Sequence, residues 1–266
     1  MNMHHGIDGN LDYGPDFSGF INYMIHENKI SDMQKQDLIE AKKVLQNGMN
    51  HSFKEYDNQP YDLFSRSRKH KIISTGDRRD AISIENAKIG IDITRKINDL
   101  IINDQNFNRK KIYKEPRTNF YILARAQSCT DMASGLQRLE RRDAKNNKGR
   151  VENVAFGYGH CPEVGWYYEE LPLFNKIKSD LGVEDIFKLD GLKKIRKEAL
   201  RRKEEIGHYV SLFNSKNTIN AVGYNQYGNY GNTAVYLAID QDFNNRCSYS
   251  FDEMSEMLDR YLENIV

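Results

Sequence analysis

The chain has 266 residues, of which 39% are hydrophobic and 29% charged, and its formal net charge is +1. This balance lacks the basic excess of a strong nucleic-acid binder, and no run of about 18 apolar residues is present to span a membrane. Three cysteines, an odd number without a CxxC pair, are too few for a disulfide framework.

The first predicted element is a helix over residues 31–47. Ser31 and Gln34 can form a capping box at its start, and Gly48 is expected to end its apolar stripe. Residues 49–79 show no apolar period and are predicted to be an irregular linker.

Two longer helices follow the linker. Apolar residues recur at helical spacing over 80–103 and again over 118–139, where Thr118 is the expected cap. A polar loop is predicted over 140–150, and one or two charged helices over 184–205. The basic part of the last run favours a solvated helix face, with a phosphate or membrane-surface patch as the alternative.

The carboxyl-terminal part changes character. Short segments rich in β-branched and aromatic residues alternate with turn sequences, which predicts three antiparallel strands joined by hairpins. These strands are expected at 208–213, 218–224 and 233–239. A last helix is predicted from Ser250, where Glu253 completes a capping box. The order along the chain is helices first, then a three-stranded meander, then a closing helix. This order predicts an α+β fold, with helices covering an antiparallel sheet.

Aromatic and acidic residues concentrate in the segment "VENVAFGYGHCPEVGWYYEELPLF". A helix is predicted to start after Pro162, and it carries the single tryptophan, Trp166. Glu169 lies three residues after Trp166 and is expected on the same face, where a partly buried carboxylate needs a hydrogen bond or a cation. Glu170 is expected to point elsewhere, into solvent.

Two histidines are candidate ligands. His208 follows Gly207 at the start of a predicted strand, so its imidazole is either structural or directed into a cleft as a ligand or base. His160 and Cys161 could form a metal pair, but Pro162 favours a loop before a helix. No signature of a serine hydrolase, zinc peptidase, nucleotide-binding loop or EF-hand is present.

Taken in order, four segments resemble the CAP superfamily (cysteine-rich secretory proteins, antigen 5 and pathogenesis-related 1; the SCP domain), and most closely its bacterial members of Gram-positive type. The segments are "VENVAFGYG", "GWYYEE", "IGHYVSLF" and "INAVGYNQYGNYGNTAVYLAI", and the final "SFDEMSEMLDRYL" is similar to a tail helix of bacterial members. The resemblance begins near Glu85 and divides the chain into an N-terminal helical extension and linker, 1–80, and a CAP domain, 81–266.

The resemblance implies an α-β-α sandwich and a cleft with two histidines and two glutamates, which in many members binds a divalent cation. The implied cleft residues of this chain are Glu152, Trp166, Glu169, His208 and Tyr209, with Glu152, Glu169 and His208 as the metal ligands. The segment before Glu152 has no histidine to match the family's first one. Weak binding of Mg²⁺ or Ca²⁺, or a carboxylate cluster paired with Arg141 or Arg142, are therefore alternatives to a Zn²⁺ site.

Three functions follow as hypotheses. The first is a non-catalytic CAP domain that binds a ligand or a protein partner at the surface of a bacterium or outside it. The second is a metal-assisted, peptidase-like hydrolase that uses Glu152, Glu169 and His208. The third is an intracellular interaction protein acting through residues 1–80. The start "MNMHHGIDGNLDYG" lacks the parts of a signal peptide, so we expect either a cytoplasmic protein or an extracellular one whose leader is missing from the sequence.

Overall fold

The computed structural model describes residues 16–27, 30–57, 81–107, 116–136, 151–188, 190–213, 217–226, 231–240 and 247–265. In this part of the chain, eight α-helices surround one three-stranded antiparallel sheet. The predicted α+β class is confirmed.

The helices are α1 (Phe17–Glu27), α2 (Asp32–Asp57), α3 (Ile84–Asn103), α4 (Phe120–Leu136), α5 (Glu170–Asp180), α6 (Gly191–Arg202), α7 (Gly207–Leu212) and α8 (Phe251–Ile265). A π-helical turn, Val164–Tyr168, precedes α5. The strands are β1 (Val151–Phe156), β2 (Asn217–Asn225) and β3 (Thr233–Asp240). None of the described helices is long and apolar enough to cross a membrane.

The sheet has the order β1-β3-β2, so β2 and β3 form a hairpin and β1 adds to the far side of β3. Because side chains alternate along a strand, each face has its own core. One face carries Val154 and Val235 and is covered by α1, α2, α4 and α8; we call it the α4 face. The other carries Val222 and Tyr236 and is covered by α5, α6 and α7; we call it the α7 face.

Helix α3 runs along β2, one of the two edge strands of the described sheet. The Val222 N–H donates to Thr94 Oγ1 at 2.9 Å, and the side chains of Asn98 and Asn220 exchange two hydrogen bonds. Gly90 permits the close approach, since a Cβ there would overlap the Val222 carbonyl. The helix thus covers this edge and bonds a main-chain N–H of β2 that would otherwise be open to pairing with another strand.

Both predicted capping boxes are confirmed. The Ser31 N–H donates to Gln34 Oε1 at 2.9 Å and the Gln34 N–H donates back to Ser31 Oγ at 3.3 Å. At α8 the corresponding bonds between Ser250 and Glu253 are 2.7 and 3.1 Å. The predicted cap of α4 is wrong by one residue: Asn119 Oδ1, not Thr118, accepts the hydrogen bond from the Ile122 N–H.

The strand predicted at 208–213 is wrong. This segment forms α7, and the third strand of the sheet is β1 instead. Short apolar runs do not distinguish strand from helix by periodicity, and Tyr209, Leu212 and Phe213 also have helical spacing that turns them into the core of the α7 face. The hairpin of the other two predicted strands is confirmed.

The N-terminal helices contribute to the same core as the sheet. Phe17 and Phe20 of α1, and Leu38 and Ala41 of α2, are completely buried in the core of the α4 face. Helix α2 continues past Gly48, whose expected role as a helix end is therefore wrong. The division between an extension, 1–80, and a CAP domain stays a prediction, but these four apolar side chains of α1 and α2 are already occupied by packing.

Candidate functional site

A π-helical turn decides which glutamate faces the protein interior. The Glu169 N–H donates to the Val164 carbonyl at 2.9 Å, five residues back, so this turn holds one residue more than an α-helical turn. Trp166 is buried, and its Nε1–H donates to the Val154 carbonyl at 3.3 Å. With the wider turn, Glu170 at the fourth position after Trp166 lies on the buried side, and Glu169 lies outside.

Glu170 is the inward carboxylate. It is only 4% exposed; its Oε1 accepts a hydrogen bond from His208 Nδ1 at 2.6 Å, and its Oε2 accepts one from the Tyr209 N–H at 2.8 Å. The predictions that Glu169 faces His208 and that Glu170 is solvated are therefore wrong. The exposed Glu169 instead accepts a hydrogen bond from the Tyr158 hydroxyl at 3.0 Å.

Tyr158 lies over the π-helical turn. Its ring contacts Gly165, where an added Cβ would overlap the phenol. Partial burial raises the pKa of Tyr158, and the hydrogen bond and charge of Glu169 and the charge of Glu170 raise it further. The phenol is therefore a neutral donor near neutral pH, and it fixes the outer carboxylate beside the inner one.

The first turn of α7 positions His208. Its main-chain carbonyl lies 3.4 Å from Asn153 Nδ2 and 2.8 Å from Ser211 Oγ, and that hydroxyl is also 2.7 Å from Asn153 Oδ1. The side chain of His208 is 26% exposed, so it is held by Glu170 on one side and open to solvent on another. Because a carboxylate only accepts hydrogen bonds, Nδ1 carries the proton and Nε2 of the neutral ring is left as an acceptor.

Glu152 does not join this group. It pairs with Leu237 in the sheet, and strand alternation places it on the α4 face with Val154. The neighbouring Asn153 is the β1 residue that reaches α7. The prediction that Glu152 and His208 share a cleft is therefore wrong, because two adjacent strand residues point to opposite faces.

Tyr209 anchors α7 to the end of α3. The hydroxyls of Tyr209 and Tyr167 each donate to Asp104 Oδ2 at 2.8 Å, while Asp104 Oδ1 accepts the N–H groups of Asn106 and Phe107 at 2.8 and 3.0 Å. Burial, together with the Asp104 charge, raises the pKa of both tyrosines far above the usual range, so both stay neutral donors. Tyr209 therefore holds α7 in place from the protein interior, since its ring is completely buried.

Glu205 completes the group of possible metal ligands. One ligand atom from each of Glu170, Glu205 and His208 lies within 4.8 Å of the others. Glu205 is exposed, and its Oε1 accepts the Gly207 N–H at 3.0 Å, which turns the carboxylate back toward α7. Glu205 was not among the residues predicted for the site because it stands in a charged run, and its one signal is its position three residues before His208.

The remaining candidates lie elsewhere. His160 contacts the edge of the Tyr224 ring, with the ring centroids 5.0 Å apart, and Cys161 is an exposed free thiol. Among the described residues, neither belongs to a group of possible metal ligands. Arg141 and Arg142 lie outside the described residues.

Comparison with known proteins found no match to a protein-family model, to a curated protein or to a solved structure. The resemblance to the CAP superfamily thus stays a prediction from the sequence motifs.

Proposed function

We propose that the chain is a non-catalytic binding domain of the CAP type, and that its ligand cleft, formed by Glu170, Glu205 and His208, takes a divalent cation. The observation that carries this proposal is the buried carboxylate of Glu170, bonded to a partly exposed imidazole beside a second carboxylate. One nitrogen and two oxygen donors are a ligand set that Zn²⁺ accepts, with a further position left for water or for a bound partner.

The short bond between Glu170 and His208 sets a condition on metal binding. Two ligands about 2.0 Å from a tetrahedral ion lie about 3.3 Å apart, whereas His208 Nδ1 and Glu170 Oε1 are 2.6 Å apart. An ion between them must replace the shared proton and widen the pair. An ion on Nε2 instead keeps Glu170 as the carboxylate that orients the imidazole. In the first arrangement the neutral ring changes tautomer, and its proton moves from Nδ1 to Nε2.

Calorimetric titration of the metal-free protein with Zn²⁺, Mg²⁺ and Ca²⁺ tests the proposal. We expect a single equivalent of one of these ions to bind the wild type, and binding to be lost in His208→Ala and weakened about 10–100-fold in Glu170→Gln. Glu169→Gln and His160→Ala are matched controls, because each removes the same chemical group from a position outside the site.

Two results would contradict the proposal. The first is a wild-type protein that binds none of the three ions. The second is equal loss of binding in His208→Ala and His160→Ala, which would mean that the ions bind exposed imidazoles without regard to the cleft. A surface or extracellular location belongs to the same proposal, and fractionation of the producing cells with an antibody to the chain checks it.

A second candidate function is hydrolysis, with His208 as general base. It is favoured by one observation: a buried carboxylate on Nδ1 fixes the tautomer that lets Nε2 accept a proton from water. The nearest hydroxyl on α7, Ser211, bonds the main chain and Asn153 rather than the imidazole. A hydrolase should lose turnover of a peptide library in both His208→Ala and Glu170→Gln, whereas a binding domain shows no turnover in any variant.

The third hypothesis, an interaction protein that binds through residues 1–80, has less support. Its expected binding surface was the apolar stripe of the first predicted helix. Leu38 and Ala41 of that stripe are completely buried against the core of the α4 face, so they are not available to a partner without unfolding α2.

A further inference from the structure

A cavity lies between α3 and the loop that joins β1 to the π-helical turn. Its volume is about 330 Å³, at the lower end of the range for pockets that hold small molecules. It shares no lining residue with the group of Glu170, Glu205 and His208, so it is a separate site. Its lining residues are Ile89, Asp92, Ile93, Arg95 and Lys96 from α3 and His160 from the loop.

The α3 side of the cavity combines an apolar wall with one free cation. Ile89, Ile93 and Lys96 follow one another at intervals of four and three residues, which places them along one side of the helix. Ile93 is buried in the core of the α7 face, and Ile89 packs against that core. Lys96 is exposed and has no ion-pair or hydrogen-bond partner in the part of the chain that the structure describes.

The acidic groups near this lysine are bonded to a different cation. Arg95 Nη1 donates to Asp92 Oδ1 at 3.0 Å, and Arg95 Nη2 donates to Asp252 Oδ1 of α8 at 2.9 Å. The same Nη2 lies 3.5 Å from Ser255 Oγ. Two carboxylates therefore share the Arg95 guanidinium, and the ammonium group of Lys96 is the lining cation left without an anion. An anionic group of a ligand can pair with it through a charge-assisted hydrogen bond.

The opposite wall is a loop held by its hydrogen bonds. Asn232 Oδ1 accepts the N–H groups of Gly157 and Gly159 at 3.1 and 3.2 Å. The His160 ring meets the Tyr224 ring edge-on, with the centroids 5.0 Å apart, and its nitrogens have no hydrogen-bond partner among the described residues. Because even a neutral imidazole keeps one N–H donor, His160 can bond an anion that is paired with the lysine across the cavity.

We propose that this cavity binds a small organic anion, with the apolar part of the ligand against Ile89 and Ile93 and its oxyanion group between Lys96 and His160. Apolar walls with a few polar groups that fix the orientation are the usual composition of a small-molecule site. The negative head group supplies the ion pair that Lys96 lacks, whereas a neutral molecule of the same shape gains only the apolar contact.

Titration followed by two-dimensional ¹H–¹⁵N NMR tests the proposal. The probes are benzoate, phenyl phosphate and benzamide, which has nearly the shape of benzoate without its charge. We expect one or both anions to bind with a dissociation constant on the order of 1 mM and to shift the amide signals of Lys96 and His160. Benzamide should bind at least about tenfold more weakly. The preference between the two anions identifies the head group as a carboxylate or a phosphate.

Matched variants locate the binding. Lys96→Met keeps the alkyl stem and should weaken anion binding about tenfold or more, His160→Ala should weaken it about 2–10-fold, and Lys96→Arg should retain it. Lys197→Met, which removes an exposed lysine of α6, and His208→Ala should bind as the wild type. The proposal is overturned if neither anion binds, if benzamide binds as tightly as benzoate, or if Lys96→Met binds as the wild type.

Discussion

Removing the charge of Asp131 should change how stability depends on pH. Burial raises the pKa of this carboxyl from 3.8 to about 6, against the opposing effect of its bonds to the Ala81 N–H and the Asn225 amide. The folded state thus holds this proton more tightly than the unfolded state. Below about pH 4 the Asp131 carboxyl is protonated in both states, and its burial does not lower the free energy of unfolding through ionisation. As pH rises from about 4 to about 6, ionisation of this carboxyl in the unfolded state lowers the free energy of unfolding, and the loss is complete above that range.

The size of the effect follows from the two pKa values. At about 1.4 kcal/mol per pKa unit, the difference between 3.8 and about 6 corresponds to about 3 kcal/mol of stability lost by the wild type on going from acid to neutral pH. Asp131→Asn keeps a carbonyl oxygen for Ala81 and Asn225 but carries no charge. Its free energy of unfolding should therefore gain about 3 kcal/mol relative to the wild type across the same range.

Urea denaturation at a series of pH values measures this difference. Both proteins are measured in the same buffers, and the exposed Asp99→Asn serves as the control for loss of one negative charge. The reasoning about Asp131 is refuted if the difference between wild type and Asp131→Asn stays constant from pH 4 to about 6, or if it moves in the opposite direction.

Three further predictions concern single side chains. Glu170→Gln should lower the free energy of unfolding by about 1.5–3 kcal/mol, since it weakens a buried charge-assisted bond, while Glu169→Gln on the surface should cost under about 1 kcal/mol; urea denaturation compares them. Tyr209→Phe should cost about 1–3 kcal/mol by removing one of two hydroxyls from the buried carboxylate at the end of α3, with far-UV circular dichroism unchanged. Gly223→Ala should prevent native folding or cost more than about 3 kcal/mol, because its Cβ overlaps the main chain of α4; Gly159→Ala, at φ +57° in open space, should cost only about 1 kcal/mol.

Local signals in the sequence were enough to place most helices. The capping pairs at Ser31 and Ser250 are short-range chemistry, in which a hydroxyl and a carboxylate or amide three residues apart satisfy each other's main-chain groups. No helix was predicted at α1, although Phe17, Phe20 and Met24 stand at helical spacing. These elements need little information from distant parts of the chain.

The strands were harder to assign because pairing depends on distant residues. The segment Gly207–Leu212 has the composition of a strand, yet its Tyr209 N–H is bonded by the Glu170 carboxylate, which lies 39 residues away in the sequence. That contact stabilises the first turn of a helix and leaves β1 to complete the sheet. No window of neighbouring residues contains this information.

The sequence by itself determined the α+β class and the hairpin of β2 and β3, because these follow from periodicity and turn chemistry, and it named His208 as a candidate. Only the tertiary structure decided which acids accompany His208. The π-helical turn moves Glu170 inward and Glu169 outward, strand alternation turns Glu152 to the other face, and the loop before α7 brings Glu205 close. A displacement of one residue along a helix or strand redirects a side chain by about 100° or 180°, and the residues that set such a displacement are distant in sequence.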